Sequence, residues 1–361
     1  MLAFSNDYYG MIFRATQSVE LFCAYVETDR GTQNMSKKPE IVVVAEKRVI
    51  NSEINMYSEE LDFSSLTVTT DIIRVLQTLG YPVVYYESPA AFVQNIVKHT
   101  NSIVFTNLWG GHHSRNKRSY LPAICEAYSI KYIGADAFTQ MLCQDKYLSK
   151  LYLSDYNFSI PKAKIVSKLD DLKQALKHIV YPCVIKPNDE GCSVGISDHS
   201  IAFSEAEAVK IACDLLLHYT PILLEEFIGG REISICCAGK NGKIDVLEAI
   251  ELIIDGQPVS NRIWGYETKK MGEAVVQRKN VTAEIPQHLL GEAIRLFNAL
   301  GKVDCMRIDG KLYHDKFYII ELSPDCSLHK DCFMANAFYS AGYTYAAMLD
   351  TLIGYAETLS L

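Results

Sequence analysis

The sequence predicts a mixed α/β protein made of two or three packed units. Its 361 residues are about two to three times the length of a typical domain. The composition, 49% apolar and 22% charged, is typical of globular chains and argues against disorder, fibres or a coiled coil. From Ile41 onward, short β-branched runs alternate with amphipathic stretches of helix length. That alternation is typical of an open sheet flanked by helices.

The first α/β unit is expected at residues 41–134. The first forty residues do not fit its pattern, although 19–26 has the composition of an extra strand. Within the unit, β-branched runs predict four strands and the intervening periodicity predicts three helices. The predicted strands are 41–45, 82–86, 103–106 and 131–133, and the predicted helices are 70–79, 90–99 and 120–128.

The rest of the chain reads as helices mixed with strands that pair along the sequence. Ser167 is expected to cap one helix, and a capping box of Ser204 and Glu207 is expected to open another. The predicted helices are a stretch at 136–156, then 170–179, 204–218, a helix with apolar positions from 289 to 300, and 343–355. The predicted strands are 163–166, 183–186, 222–227, 232–238, 243–252, 305–309 and 317–322.

Charge, hydropathy and cysteines narrow the class of protein. With 35 basic and 43 acidic residues the net charge is −8, which offers no general attraction for nucleic acid or an anionic membrane. No apolar run reaches the roughly 18 residues of a membrane span, and residues 1–10 lack the pattern of a secretory signal. The eleven cysteines are scattered without a CxxC. We therefore expect a soluble, cytoplasmic protein whose cysteines are mostly buried apolar side chains.

One candidate phosphate site lies at 181–195, where a predicted strand presents Lys186 before a loop with Gly191 and Gly195. Successive backbone N–H groups in such a loop can bind phosphate oxygens, and a lysine adds a point charge. The alternative is a tight turn beside a surface lysine. No Gly-Lys-Ser/Thr or GxGxxG sequence is present, which excludes a P-loop and a dinucleotide fold.

Two acidic segments follow. Glu225 and Glu226 are neighbours on one predicted strand, so their side chains point to opposite faces and at most one can face a ligand there; Glu232 opens the next strand. These residues could equally be solvated carboxylates at a sheet edge. On the last strand pair, Asp309 and Glu321 offer the oxygen ligands that Mg²⁺ prefers.

Arg307 precedes Asp309 by two residues and so shares its face of the strand. There it could stabilise negative charge that develops in a transfer reaction. The alternative is a surface pair of Arg307 and Asp309.

In this order and spacing, the three motifs resemble the ATP-grasp superfamily, and most closely the D-alanine–D-alanine ligases. The resemblance covers about residue 41 to the C-terminus. It implies an α/β ATP-grasp fold in which an N-terminal open α/β unit precedes two α+β lobes that clasp ATP. The implied division is an N-terminal extension at 1–40, a substrate-side domain at 41–134, a central lobe at 135–222 and a C-terminal lobe with the metal site at 223–361.

The resemblance also implies roles for individual residues. Arg307 with Lys269 or Lys270 would act in catalysis, the two lysines from a loop at 264–270 that closes over the γ-phosphate. Asp309 and Glu321 would bind Mg²⁺. The implied ATP-binding residues are Lys146, Lys186, Gly191, Cys192, Ser193, Val194, Gly195, Glu225, Glu226, Phe227 and Glu232.

Several positions depart from the pattern of D-alanine–D-alanine ligases. A His-Gly…Gly-Glu-Asp-Gly run is replaced by 108–118, in which Arg115, Lys117 and Arg118 take the place of an acidic pair. We interpret these three as a solvated loop in preference to a site for an anionic substrate. The substrate-contacting serine is Cys192, and the metal-binding asparagine is Ser323, where Asp325 could supply the oxygen instead. Further substrate contacts are expected from Glu53 and Ser327.

The resulting hypothesis is an ATP- and Mg²⁺-dependent ligase that joins a small-molecule carboxylate to an amine through an acyl phosphate. The departures favour a specialised amino-acid ligase of small-molecule biosynthesis. One alternative is a D-alanine–D-alanine ligase of cell-wall synthesis. Another is a non-catalytic nucleotide-binding protein with the same fold. No nucleic-acid or membrane partner is expected, and a homodimer is the candidate assembly.

Overall fold

The computed structural model describes residues 38–45, 55–62, 65–106, 114–155, 158–240, 242–260, 262–267 and 276–357. The predicted strand at 19–26 and the candidate residues Glu53, Lys269 and Lys270 lie outside these ranges. Among the described helices, none is long and apolar enough to cross a membrane.

The first unit contains a parallel sheet of four strands in the order β2-β1-β3-β4. Every residue of β1 is buried, as expected for a parallel strand covered on both faces. Strands β1 and β3 are parallel, so their carboxyl ends lie at the same edge of the sheet. The elements are β1 (Ile41–Val44), α1 (Leu66–Thr78), β2 (Val83–Tyr86), α2 (Pro89–Val93), β3 (Ile103–Thr106), α3 (Tyr120–Ala127) and β4 (Lys131–Ile133).

Two further helices and a four-stranded antiparallel sheet follow, with strand order β5-β8-β6-β7. Two helices pack on one face of this sheet over a core that includes Ile185 and Leu224. The elements are α4 (Ala137–Gln144), α5 (Lys146–Asp155), β5 (Ala163–Val166), α6 (Leu169–Leu176), β6 (Cys183–Pro187), β7 (Ile201–Ala202), α7 (Glu205–Leu215) and β8 (Ile222–Glu226). The predicted boundary at 222 thus falls at the start of a strand that pairs within this sheet.

The third sheet has six antiparallel strands, with β11-β10-β9-β13-β14 in order and β12 paired to β10. One face packs on α8, and the other packs on α9, α10 and the first unit. The elements are β9 (Arg231–Lys240), β10 (Lys243–Ile254), β11 (Gln257–Pro258), β12 (Val276–Asn280), α8 (Gln287–Ala299), β13 (Cys305–Tyr313), β14 (Lys316–Ser323), α9 (Phe333–Ser340) and α10 (Tyr345–Glu357).

Three local predictions were wrong. The helix expected at 90–99 ends at Val93 and resumes as a 3₁₀ turn at Ile96–Lys98, because the Asn95 side chain donates to the Ala91 carbonyl and competes with the helical bonds. The stretch 136–156 is helical as predicted, and it consists of two helices separated at Asp145.

The other two concern caps. Ser167 does not cap α6: Lys168 is the cap residue and gives no side-chain bond. Ser204 does accept from the backbone of Glu207, but Glu207 accepts from the N–H of Phe203 and so does not close a capping box.

The described cysteines confirm their expected role. Eight of the ten are buried, and these eight are free thiols. Cys236, Cys305, Cys326 and Cys332 lie in the core between the first unit and the six-stranded sheet, where they act as small apolar side chains.

Candidate active site

A cavity of about 380 Å³ lies between the four-stranded antiparallel sheet and the six-stranded sheet. This volume is in the range of small-molecule sites. It brings together most of the predicted residues: Lys146, Lys186, Gly191, Cys192, Ser193, Glu225, Glu226, Phe227, Glu232, Arg307, Asp309, Glu321, Ser323 and Ser327. Val194 and Gly195 do not border it.

The glycine loop after β6 has an unusual backbone. Cys192 and Ser193 have φ values of 51° and 63°, a left-handed conformation that costs energy for non-glycine residues and is concentrated at functional sites. The Ser193 hydroxyl donates to the carbonyl of Trp264 at 2.7 Å. Gly195 serves the turn, because a Cβ there would lie 2.6 Å from Cγ of Pro187. The loop is therefore fixed against the start of segment 264–270.

Lys186 borders the cavity, and its side chain is buried and paired. Its ammonium lies 2.8 Å from Oε1 of Glu225, whose Oε2 lies 2.5 Å from Nζ of Lys150. Burial on its own would raise the pKa of Glu225, but the charges of Lys150 and Lys186 outweigh it and lower that pKa. Glu225 is consequently held ionised between two lysines.

Lys146 begins α5 because Asp145 interrupts the helical stretch. The Asp145 carboxylate accepts from the N–H of Leu148 and from the side chain of Asn188. Nζ of Lys146 then reaches the carbonyls of Asn188 and Glu190 in the glycine loop. It also lies 3.5 Å from Oε1 of Glu321, so it bridges the loop to β14.

Residues 225–228 border the cavity in succession where β8 ends. The carboxylates of Glu225 and Glu226 point apart as the pleat predicts: that of Glu226 accepts from the N–H of Lys162, away from Lys186. Glu232 accepts from Lys311 at 2.9 Å. The acidic segment thus offers the buried carboxylate of Glu225 and the carboxylate of Glu232, which is paired with Lys311.

The predicted metal ligands face each other across β13 and β14, where Asp309 is the register partner of Glu321. Ser323 donates to Asp309 at 3.1 Å, while Arg307 holds the same carboxylate through two nitrogens at 2.9 Å. Among the described residues, no three His, Cys, Asp or Glu side chains form a cluster suited to a metal ion. Two carboxylates still fit Mg²⁺, since this ion is commonly held by one or two carboxylates together with substrate phosphates.

The interpretation of 115–118 as a solvated loop was wrong for two of its three basic residues. Lys117 is 4% exposed, and its ammonium lies 2.8 Å from Glu190 and 3.2 Å from Asp62. Arg118 bridges Asp62 at 2.8 Å and Asp325 at 2.6 Å. The cause is a set of carboxylates supplied by three distant segments, which neutralise both cations on folding. Arg115 alone is exposed, and it pairs with Asp145.

Several residues of the site were missed by sequence reasoning. Phe333 at the start of α9 lies under two guanidinium groups, with Cζ of Arg307 at 5.1 Å and Cζ of Arg278 at 5.3 Å from the ring centre. Helix α9 was not predicted, because it is apolar on most sides and lacks the amphipathic period. Lys150 was missed although it follows Lys146 by one helical turn, a spacing that could have identified it.

The class of protein defined by this arrangement is a ligase of the ATP-grasp type, in which lysines, a glycine loop and paired carboxylates meet between two sheets. The model of the D-Ala–D-Ala ligase C-terminus matches residues 150–354, more than half of the chain. The chain belongs to the D-alanine–D-alanine ligase family. The predicted family, fold and enzyme class are confirmed, and ATP and Mg²⁺ are the cofactors typical of the family.

Curated relatives agree with this assignment. A D-alanine–D-alanine ligase of Pseudothermotoga lettingae is 26% identical over 294 residues, covering 80% of this chain and 93% of the relative. A D-alanine–D-alanine ligase of Halalkalibacterium halodurans is 24% identical over 295 residues, with the same coverage of 80% and 93%. The chain therefore spans nearly the full length of these enzymes.

Solved structures share the fold. A D-alanine–D-alanine ligase of Bacillus anthracis complexed with ATP aligns with a TM-score of 0.67 at 17% identity, covering 88% of this chain and 97% of that one. The VanG D-Ala:D-Ser ligase of Enterococcus faecalis aligns with a TM-score of 0.65 at 18% identity, covering 89% and 100%.

Proposed function

We propose that this protein joins a carboxylate to an amine by way of an acyl phosphate. ATP would transfer its γ-phosphoryl group to a carboxylate oxygen, releasing ADP. The amine nitrogen would then attack the carbonyl carbon, so that a C–N bond forms, the C–O bond to phosphate breaks, and phosphate and a proton leave. The observation that carries the proposal is one cavity bordered by Lys146, Lys186 and Arg307 together with Asp309 and Glu321.

Different residues of the cavity would have separate roles in this reaction. Lys146 and Lys186 would bind phosphate oxygens, and Glu225 with Glu232 would bind adenine and ribose. Mg²⁺ held by Asp309 and Glu321 would supply positive charge against the phosphates. Arg307 would stabilise charge on the reacting carboxyl group. The walls and the segment after Trp264 would exclude water, which would otherwise hydrolyse the acyl phosphate.

D-alanine is the first candidate for both substrates. It is supported by the names of the curated relatives, whose length this chain nearly covers. This alternative is better supported than the specialised ligase that the sequence departures favoured. A specialised amino-acid ligase remains the second candidate, and the buried pairing of Arg118 with Asp62 and Asp325 beside Cys192 supports it. That network stands where the resemblance expects an acidic pair.

The test is ADP release from Mg·ATP with D-alanine alone, followed by a panel of other acids and amines. ADP release with D-alanine and recovery of the dipeptide by mass spectrometry would support the first candidate. Release only with another pair would support the second. If ATP binds but no pair gives ADP, the ligase proposal fails and a nucleotide-binding protein remains. A cytoplasmic location, a homodimer and the absence of nucleic-acid partners belong to the same proposal.

A further inference from the structure

A buried lysine that does not border the cavity contacts two of its functional elements. Lys150 lies on α5 one turn after Lys146 and is 3% exposed. Its ammonium contacts the Glu225 carboxylate at 2.5 Å and the carbonyl oxygen of Ile320 at 3.2 Å. Residues four apart share a helix face, so Lys146 and Lys150 lie on the same side of α5, where Lys146 borders the cavity and Lys150 does not.

The second contact of Lys150 depends on an irregularity in β14. The register pairs Asp309 with Glu321 and Gly310 with Ile319, which leaves Ile320 as the extra residue of a bulge. Its carbonyl accepts from Lys150. Lys150 therefore supports the backbone immediately before Glu321, a predicted metal ligand.

Two positive charges surround the single negative charge of Glu225. Lys150 and Lys186 both contact this one carboxylate, which is 2% exposed. Burial lowers the pKa of Lys150, and the nearby charge of Lys186 also lowers it, although Glu225 opposes both effects. The three groups together carry one excess positive charge away from water, an arrangement that is costly until an anion approaches.

Lys186 shares the Glu225 carboxylate with Lys150. With Lys150 present, the carboxylate divides its charge between two ammonium groups, and Lys186 is only partly neutralised. Without Lys150, Glu225 would form a one-to-one pair with Lys186 and compete directly with a phosphate. Glu225 would also lose the contact that fixes its second oxygen, and with it the orientation of its acceptor positions.

We propose that Lys150 is a positioning residue of the nucleotide site that acts through Glu225. It keeps Lys186 available for phosphate and fixes the carboxylate that would accept from the adenine amino group. The proposal rests on the proposed use of ATP. It assigns to Lys150 both the affinity for nucleotide and the preference for adenine over guanine.

The experiment is titration calorimetry of the full chain with the Mg²⁺ complexes of the non-hydrolysable β,γ-imido analogues of ATP and GTP. Lys150→Met removes the charge and keeps the length of the side chain, and Lys173→Met on the exposed surface of α6 is the matched control. We expect Lys150→Met to weaken binding of the ATP analogue about tenfold, as for the loss of a charged hydrogen bond. We also expect a smaller ratio of the dissociation constant of the GTP analogue to that of the ATP analogue. A general loss of stability would leave this ratio unchanged.

A double-mutant cycle tests the route of the effect. In a Glu225→Gln background, Lys150→Met should weaken binding by less than about threefold, since the group through which it acts is gone. If Lys150→Met does not fold, as judged by thermal melting, Lys150→Gln replaces it, because glutamine keeps a donor for Ile320.

Three results would overturn the proposal. The first is binding within about twofold of wild type with an unchanged ratio for the two nucleotides. The second is an undiminished effect of Lys150→Met in the Glu225→Gln background. Both of these leave the ligase proposal intact. The third is a wild-type protein that binds neither nucleotide, which overturns the use of ATP as well.

Discussion

The buried network around Arg118 should make a large contribution to stability. We consider Arg118→Met, which keeps the aliphatic part of the side chain and removes the guanidinium. The change removes the contacts of Arg118 with Asp325 at 2.6 Å and with Asp62 at 2.8 Å, while Lys117 stays 3.2 Å from Asp62. Asp62 is fully buried, so water cannot replace the contact that its carboxylate loses with Arg118. Breaking a buried ion pair in this way costs about 3–5 kcal/mol.

The cost can be converted to a melting temperature. Unfolding entropy is about 2.1 cal/mol/K per residue, so for a chain of 361 residues each kcal/mol corresponds to roughly 1.3 °C. Arg118→Met should therefore lower the melting temperature by about 4–7 °C in scanning calorimetry at pH 7. The control is Arg115→Met, whose side chain is 56% exposed and should contribute about 1 °C or less.

The pH dependence gives a second check on the same variant. Burial raises the pKa of Asp62, but Arg118 and Lys117 outweigh it, so that pKa is lowered in the folded protein. A lowered pKa contributes stability that is present above the unfolded value near 4 and is lost as the pH falls through the folded value. Without Arg118, the pKa values of Asp62 and Asp325 both rise, and the folded variant binds protons more readily. The difference in melting temperature between Arg118→Met and wild type should therefore become smaller as the pH falls from 7 to 4.5.

Two results would refute this reasoning about Arg118. One is a decrease in melting temperature at pH 7 no larger than that of Arg115→Met, which would show that the network is hydrated. The other is a difference in melting temperature between Arg118→Met and wild type that stays constant with pH, which would show that packing and not charge is lost.

Three further predictions concern the site itself. Lys186→Ala and Glu321→Ala should each lower kcat/KM for ADP release by about 100-fold or more, and full activity in either would contradict the proposed roles. Asp309→Asn should raise the Mg²⁺ concentration needed for half-maximal nucleotide binding about tenfold; an unchanged requirement would remove Asp309 from the metal site. Gly191→Ala should lower the melting temperature by an amount similar to Arg118→Met, because its Cβ would lie 2.1 Å from Nη2 of Arg118; an unchanged melting temperature would contradict that contact.

The sequence predicted the elements of the fold better than their ends. Strand β1 was recognisable because four β-branched residues in a row are typical of a buried parallel strand. The break between α4 and α5 was not, since it depends on a bond between Asp145 and Asn188, forty-three residues apart. Local periodicity contains no information about such a partner.

In the candidate site, the residues that border the cavity were predicted better than their pairing partners. The motifs identified many of the residues that border the cavity, because chemistry and spacing are local properties of the sequence. Apart from the pair of Arg307 and Asp309, they did not identify what pairs with those residues. Lys117 and Arg118 looked solvated because their partners Asp62, Glu190 and Asp325 come from segments that meet only in the folded protein.

Two ion pairs among the residues of the cavity should couple the binding of nucleotide to the binding of Mg²⁺. Arg307, the predicted charge-stabilising residue, is paired with the predicted metal ligand Asp309, and the predicted phosphate ligand Lys146 is paired with Glu321. A nucleotide that takes Lys146 removes its ion pair with Glu321, and a cation that takes Asp309 and Glu321 removes their ion pairs with Arg307 and Lys146. Either ligand alone therefore meets a cost that the two together avoid. We accordingly expect nucleotide and Mg²⁺ to bind with positive coupling, each raising the affinity for the other by the same factor.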